Sequence, residues 1–205
     1  MSIRVEGKGP RGQGIDLRVD ETGANIVGDV HARYYESVAR GNVYAAGTAA
    51  TGVAPGTAIG TTAAFSLTNP LSSGVNLVVL KASMGYISGT LGAGTVHYLA
   101  NVNTQLALPT GTAITAYNCL LGSARAAAGK PLTTATIASP LILRPAWSLT
   151  ALVAATAVQP YTVVDELAGE FIIGPGATLS LHATAAAGST PLVVYGMTWE
   201  EVPVL

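Results

Sequence analysis

The chain has 205 residues, a formal net charge of -1, 49% hydrophobic residues and only 10% charged ones. Its length suits one large β domain, or one domain plus a short appendage, and its near-neutral balance provides neither the basic face that nucleic acid requires nor a polybasic segment for an anionic membrane. Charge content so far below the ~25% of ordinary soluble domains predicts a surface covered by other protein or by small uncharged side chains, which points to oligomerisation or assembly.

Met1 to Lys8 is polar and charged, with no apolar stretch of the kind that forms a secretory signal. Residues 1–40 hold 12 of the 21 charged side chains, whereas residues 41–164 hold four: Lys81, Arg125, Lys130 and Arg144. This step predicts an extended polar N-terminal arm over 1–40 and an all-β sandwich body over 41–205. Within the arm, the glycine-rich stretch Gly7–Gly14, interrupted by Pro10, is expected to be irregular. Ile15–Asp20 alternates apolar and polar side chains and is expected to pair as a strand. Such an arm is ordered mainly by contact. Its cations Arg4, Lys8, Arg11, Arg18, Arg33 and Arg40 are the candidate partner-binding residues.

In the body, Ala45–Ala64 is alanine-rich but carries Gly47, Gly52, Pro55, Gly56 and Gly60, so a loop or irregular strand is expected there. Leu77–Tyr86 alternates over a long run and places Val78, Leu80, Ala82, Met84 and Tyr86 on one strand face. Strands are also predicted at Thr95–Val102, Ala113–Leu121 and Thr133–Leu143, with Pro131, Pro140 and Pro145 marking where pairing stops. The longest apolar run, Trp147–Val158, is interrupted by Ser148, Thr150 and Thr156 and is too short to span a membrane as a helix. Glu170–Ile173, Thr178–Thr184 and Leu192–Glu200 read as three antiparallel strands separated by Gly174-Pro175-Gly176 and by Gly188-Ser189. The last of them puts Val193, Tyr195, Met197 and Trp199 on one side. Gly, Thr and Pro recur too often for long helices. About eight body strands fit two Greek keys wound into a jelly roll.

Reactive constellations are sparse. A cupin-type metal site takes two imidazoles from one strand face in a His-x-His spacing, and His31, His97 and His182 do not supply it. His182 is expected on the polar face of its strand, beside Ser180 and Thr184. Asp165, Glu166 and Glu170, and the pair Glu200 and Glu201, are the carboxylates available for glycosidase-type chemistry; solvated positions, or for the terminal pair an arginine of a neighbour, explain them as well. Gly7–Gly14 departs from a phosphate-cradling loop because Gly9 follows Lys8 and no helix follows. The single cysteine, Cys119, has apolar neighbours and is expected to pack as a small core residue. Trp147 and Trp199 read as core, and Tyr34, Tyr35 and Tyr161 as loop tyrosines able to contact a ligand. No cofactor and no metal is expected, and the chain is not expected to be an enzyme.

Two stretches carry a resemblance. Arg33-Tyr34-Tyr35-Glu36-Ser37-Val38-Ala39-Arg40-Gly41-Asn42-Val43-Tyr44 precedes a small-residue loop. Phe65-Ser66-Leu67-Thr68-Asn69-Pro70 then turns into the strand Asn76-Leu77-Val78-Val79-Leu80, and the close runs from Gly174-Pro175-Gly176 to Trp199-Glu200-Glu201. In style, residues 33–201 resemble jelly-roll virion structural proteins of tailed bacteriophages, of the kind that decorate capsids or build tail and fibre parts. The resemblance implies a homo-oligomer, often a trimer, attached to the major capsid protein or another virion protein, and therefore localisation to the virion. It brings no catalytic residues. A capsid decoration (cement) protein anchored by residues 1–40 is the leading expectation. The alternatives are a tail or fibre component that binds a host receptor, a cupin-like or glycan-cleaving enzyme, and a trimeric cellular module of the tumour-necrosis-factor-like type.

Overall fold

Strand-forming residues dominate a computed structural model that describes residues 6–8, 14–16, 32–101, 108–151, 162–186 and 188–204. In chain order the elements are β1 (Glu6–Lys8), β2 (Gly14–Asp16), α1 (Tyr35–Ala39), β3 (Val43–Gly47), β4 (Thr62–Thr68), β5 (Val75–Ser88), β6 (Gly94–Asn101), β7 (Thr110–Ala113), β8 (Tyr117–Asn118), β9 (Lys130–Thr136), β10 (Leu141–Leu149), β11 (Thr162–Glu166), β12 (Ile172–Ile173), β13 (Thr178–Ala183) and β14 (Leu192–Pro203). The chain divides into two units, 1–36 and 37–205. In the first, β1 and β2 pair antiparallel with Gly7 opposite Ile15. Part of the glycine-rich stretch expected to be irregular is therefore strand, because a ladder needs only backbone donors and acceptors, which glycine keeps. Residues 17–20 of the expected Ile15–Asp20 strand lie outside the described residues.

The second unit is a sandwich of two antiparallel sheets. Sheet I runs β11-β5-β14-β3-β8, with β12 added to β5, and sheet II runs β10-β6-β13-β4-β9-β7. The pairing is nested. β3 pairs with β14, β4 with β13, β5 with β11 and β6 with β10, so successive strands alternate between sheets. β7, β8 and β9 are inserted between β6 and β10 and extend both sheets on one side.

Between the sheets lies one apolar core that includes Tyr44, Phe65, Leu67, Met84, Tyr98, Leu181, Tyr195 and Trp199, all fully buried. Burying side chains of this size stabilises by roughly 1.5–3 kcal/mol each before the entropy of ordering them is set against it. β14 follows its expected alternation, with Val193, Tyr195, Met197 and Trp199 buried. β5 does not keep one face. Thr198 pairs with Lys81 and Trp199 with Val79, which leaves Leu80 as an extra residue. This β-bulge switches the parity: Leu77 and Val79 join the core before it, and Ala82 and Met84 after it.

Other expectations need correction. Ala45–Ala64, expected as a loop or irregular strand, has regular strand at its two ends, in β3 and β4. Of Ala113–Leu121 only Ala113, the end of β7, and Tyr117–Asn118, β8, are strand, and these pair in different sheets. Pro131 and Pro145 sit inside strands, where Leu67 and His97 are their partners. Pro145 is tolerated because β10 ends its sheet and a bulge follows at once. The three C-terminal strands are not neighbours: β12 and β14 belong to sheet I and β13 to sheet II.

Turns are held by side chains. Buried Asn69 donates through Nδ2 to Val75 O at 2.7 Å and Ile173 O at 2.8 Å, which ties the Thr68-Asn69-Pro70 turn to β12. Thr68 and Thr178 share a 2.9 Å hydroxyl contact beneath it. Gly89 has φ +84°, and a Cβ there would lie 2.1 Å from Thr190 O, so only glycine fits this turn.

Candidate binding surfaces

The two sheets meet on one side of the sandwich around Arg144 of edge strand β10. Its guanidinium donates to Glu170 through Nε at 2.9 Å and Nη2 at 2.7 Å, and to Asp165 of β11 through Nη2 at 3.2 Å. It also lies 4.9 Å above the Tyr98 ring and 5.6 Å above Phe171. Tyr98 donates its hydroxyl to Asp165 at 3.0 Å. The bidentate bond to Glu170 raises the Arg144 pKa and lowers that of Glu170. Burial, with the Asp165 charge, raises that of Tyr98. Two carboxylates considered for sugar chemistry thus grip one arginine, and the third, Glu166, pairs with Lys81 at 2.7 Å. Their arrangement is that of a cross-sheet clamp.

On the opposite side, Glu201 is only 4% exposed. Its Oε1 accepts the Gly129 N–H at 2.9 Å and the Trp199 indole N–H at 3.3 Å. The expectation that Glu201 faces a neighbour's arginine is therefore overturned: it points into the protein, where two neutral donors hold it. Space at Gly129 is tight: a Cβ would meet side-chain atoms of Leu77 and Trp199 at 3.0 Å.

His97 and His182, distant in sequence, are direct cross-strand partners on β6 and β13. His182 is 2% exposed rather than on a solvated face, and Ser66, Leu99 and Ser180 around it are buried as well. Ser180 Oγ donates to Leu99 O at 3.2 Å and lies 3.0 Å from His182 Nε2. Burial and the His97 charge hold His182 down at a pKa of about 4. Ser180 is fully buried and bridges β6 and the His182 ring. Among the described residues no group of three or more His, Cys, Asp or Glu is placed to hold a metal ion, and no helix is long and apolar enough to cross a membrane.

Exposed aliphatic side chains gather on the two lateral sides. Leu141, Ile142 and Leu143 of β10 are all exposed, and Ile172 of β12 shares with Leu143 a groove of about 260 Å³. On the other side Tyr117 and Leu121 are 69% and 89% exposed. A groove of about 300 Å³ lies there between β7 and the 126–132 segment, with Leu108, Ile114, Ala126, Ala127 and Leu132 in its wall and Lys130 at its rim. No spacing in the sequence marks these grooves. The exposed Leu141-Ile142-Leu143 triplet was the available signal, hidden by reading Thr133–Leu143 as one strand.

Of the arm residues, Arg4, Arg11 and Arg18 lie outside the described residues, as do His31 and Tyr161. Lys8 lies on β1. Arg33 is exposed, with its guanidinium 5.4 Å from the Tyr34 ring centroid. Arg40 is exposed, and its carbonyl accepts Arg125 Nη1 at 3.4 Å. Cys119 is half-buried, not core, and burial raises its pKa. No family model, no curated protein and no solved structure matches the chain.

Proposed function

We propose that this chain is a non-enzymatic structural protein of a virion, a jelly-roll β-sandwich that binds the outer surface of a capsid and stabilises the shell. The nested pairing carries the reading. Eight strands, β3 to β6 with β10, β11, β13 and β14, pair first with last and so on inward, which is the order of a rolled double Greek key. That architecture recurs in viral capsid domains. Fold alone does not assign function. Further support comes from the body's few charges, several of which tie strands together, while large aliphatic side chains face outward on both lateral sides. In this reading the chain associates with copies of itself and with the major capsid protein, and the cations of residues 1–40 anchor it.

Gold-labelled antibody against the purified chain tests this on virus particles from the lysate of the cell that carries its gene. Label on heads supports capsid decoration, label confined to tails transfers the protein to the receptor-binding alternative, and particles without label overturn the proposal. Deleting residues 1–40 then tests the arm: particle binding as tight as that of the full chain removes its anchoring role.

A further inference from the structure

We propose that His97 and His182 form a two-imidazole site for a first-row divalent transition-metal ion, which pins β6 to β13 on the outer face of sheet II.

The strand register makes the pair. His97 and His182 are direct cross-strand partners within an unshifted ladder that runs from Thr178 opposite Asn101 to Ala183 opposite Val96. Side chains directly opposite in an antiparallel pair share a face, with Cβ atoms about 4.5–5.5 Å apart. That face is the outer one, because the alternate residues Val96, Tyr98, Leu179 and Leu181 belong to the core between the sheets. One imidazole from each of two strands thus stands in for a His-x-His spacing on one strand.

Three buried atoms on this face have no hydrogen-bond partner: Nδ1 of His97, Nδ1 of His182 and Oγ of Ser66. Ser66 shares the face because it pairs with Ser180, two residues from His182. Buried polar atoms are normally satisfied, and an orphan is costly. His182 is only 2% exposed, so bulk water does not relieve it. A bound ion would occupy both Nδ1 lone pairs at once.

The other nitrogen of His182 is already placed. Nε2 lies 3.0 Å from Ser180 Oγ, which donates to Leu99 O. When Nδ1 takes a cation the ring proton is on Nε2, and Ser180 Oγ is there to accept it. Metal-bound histidines are held in this way by a polar partner on the second nitrogen. His97 is half-buried, which gives an ion its way in.

The donor set selects the ion. Imidazole nitrogen suits Zn²⁺, Ni²⁺ and Cu²⁺, whereas Mg²⁺ and Ca²⁺ take oxygen ligands. Thr95, Leu99, Ser180 and Thr184, two residues from the pair along each strand, carry no charge to repel a cation. Two protein ligands make a weaker site than the three or four of dedicated centres, and oxygen donors, water among them, fill the remaining positions. The unfolded chain does not hold the two rings together, so a bound ion stabilises the fold.

The test is a calorimetric titration of the full chain with Zn²⁺ from about 1 μM to 1 mM, with Mg²⁺ as the comparison ion. Binding of Zn²⁺ at a single site, and none of Mg²⁺, is expected. The chain has three histidines and one cysteine, so the ligands can be assigned by substitution. His97→Gln and His182→Gln are each expected to abolish binding, and His31→Gln and Cys119→Ser to leave it unchanged. Cu²⁺ added to wild type gives a readout that needs no variant: its electron paramagnetic resonance spectrum is expected to show two coordinating nitrogens. If circular dichroism shows His182→Gln unfolded, His97→Gln and the Cu²⁺ spectrum decide. No Zn²⁺ binding, binding that survives His97→Gln, binding lost with His31→Gln, or a Cu²⁺ spectrum without two nitrogens each overturns the inference.

Discussion

The two sides of the sandwich are closed by opposite uses of a carboxyl group. At the β10–β11 side, Asp165 and Glu170 meet a guanidinium in a partly solvated cluster. At the β8 side, Glu201 is sealed in and accepts the N–H groups of Gly129 and Trp199. The first arrangement joins two sheet edges through charge, which water and salt screen. The second fixes the 126–129 segment over Trp199 and Tyr44 through hydrogen bonds inside the core, where an orphaned donor is costly. A chain with so few charges therefore uses its acids internally on both sides, and the sides should respond differently to perturbation.

The largest effect is expected at the sealed side. Trp199 is fully buried and stacks on Tyr44 with centroids 6.1 Å apart. Trp199→Ala removes the ring, its contact with Tyr44 and a donor to Glu201, and is expected to destabilise by about 3–5 kcal/mol. Urea unfolding should show a lower midpoint at unchanged slope. A loss under about 1 kcal/mol would mean that the ring does not fill the space between the sheets.

Between the two sides, His182 makes the central strand of sheet II sensitive to acid. Its pKa of about 4 lies below the unfolded value of 6.5. The unfolded chain therefore binds the proton first, and the contribution is complete above pH 6.5 and lost as pH falls from 6.5 towards 4. The loss is on the order of 3 kcal/mol once both states are protonated. His182→Gln keeps an amide able to hydrogen-bond Ser180 and removes the titration. Its stability should fall less steeply than that of wild type over this window, as read by chemical unfolding at a series of pH values. Parallel curves would mean that His182 is not enclosed.

Glu201 gives the next step. Glu201→Leu leaves the Gly129 and Trp199 N–H groups without their acceptor and is expected to cost about 1–3 kcal/mol. Glu201→Gln retains an acceptor oxygen and should cost less. The order of the two midpoints checks this, and a leucine variant as stable as the glutamine variant would remove the hydrogen bonds from the explanation.

These contrasts show what was legible in the sequence. β14 was readable because one uninterrupted alternation, Val193 to Trp199, faces one core. The face of β5 was misassigned at Val78 and Leu80 because a bulge changes parity without changing composition. Nested pairing is invisible to local pattern: Thr178–Thr184 and Leu192–Glu200 look like a hairpin, yet the connection between them passes from one sheet to the other. His97 and His182 became neighbours only through strand register, and Arg144 met Asp165 only because edges of different sheets converge. The near-absence of charge in the body was plain in the sequence. How the remaining charges are placed depends on topology.

The smallest expected effect lies on the solvated side and separates the two closures most sharply. Arg144→Met keeps an unbranched chain over Tyr98 and Phe171 but leaves Asp165 and Glu170 without their shared cation. The arginine side chain is 33% exposed and that of Glu170 is 45% exposed, so the ion pairs are screened and the expected loss is about 1 kcal/mol, including the cation–π contact. The decisive reading is its salt dependence. At about 1 M salt, where the Debye length falls to ~3 Å, the gap between Arg144→Met and wild type should narrow. The gap between Glu201→Leu and wild type should not, because the latter measures unmet N–H groups in a sealed site. Equal salt responses would mean that both sides are held by the same physics, and the contrast between an ionic clamp and a buried acceptor would fail.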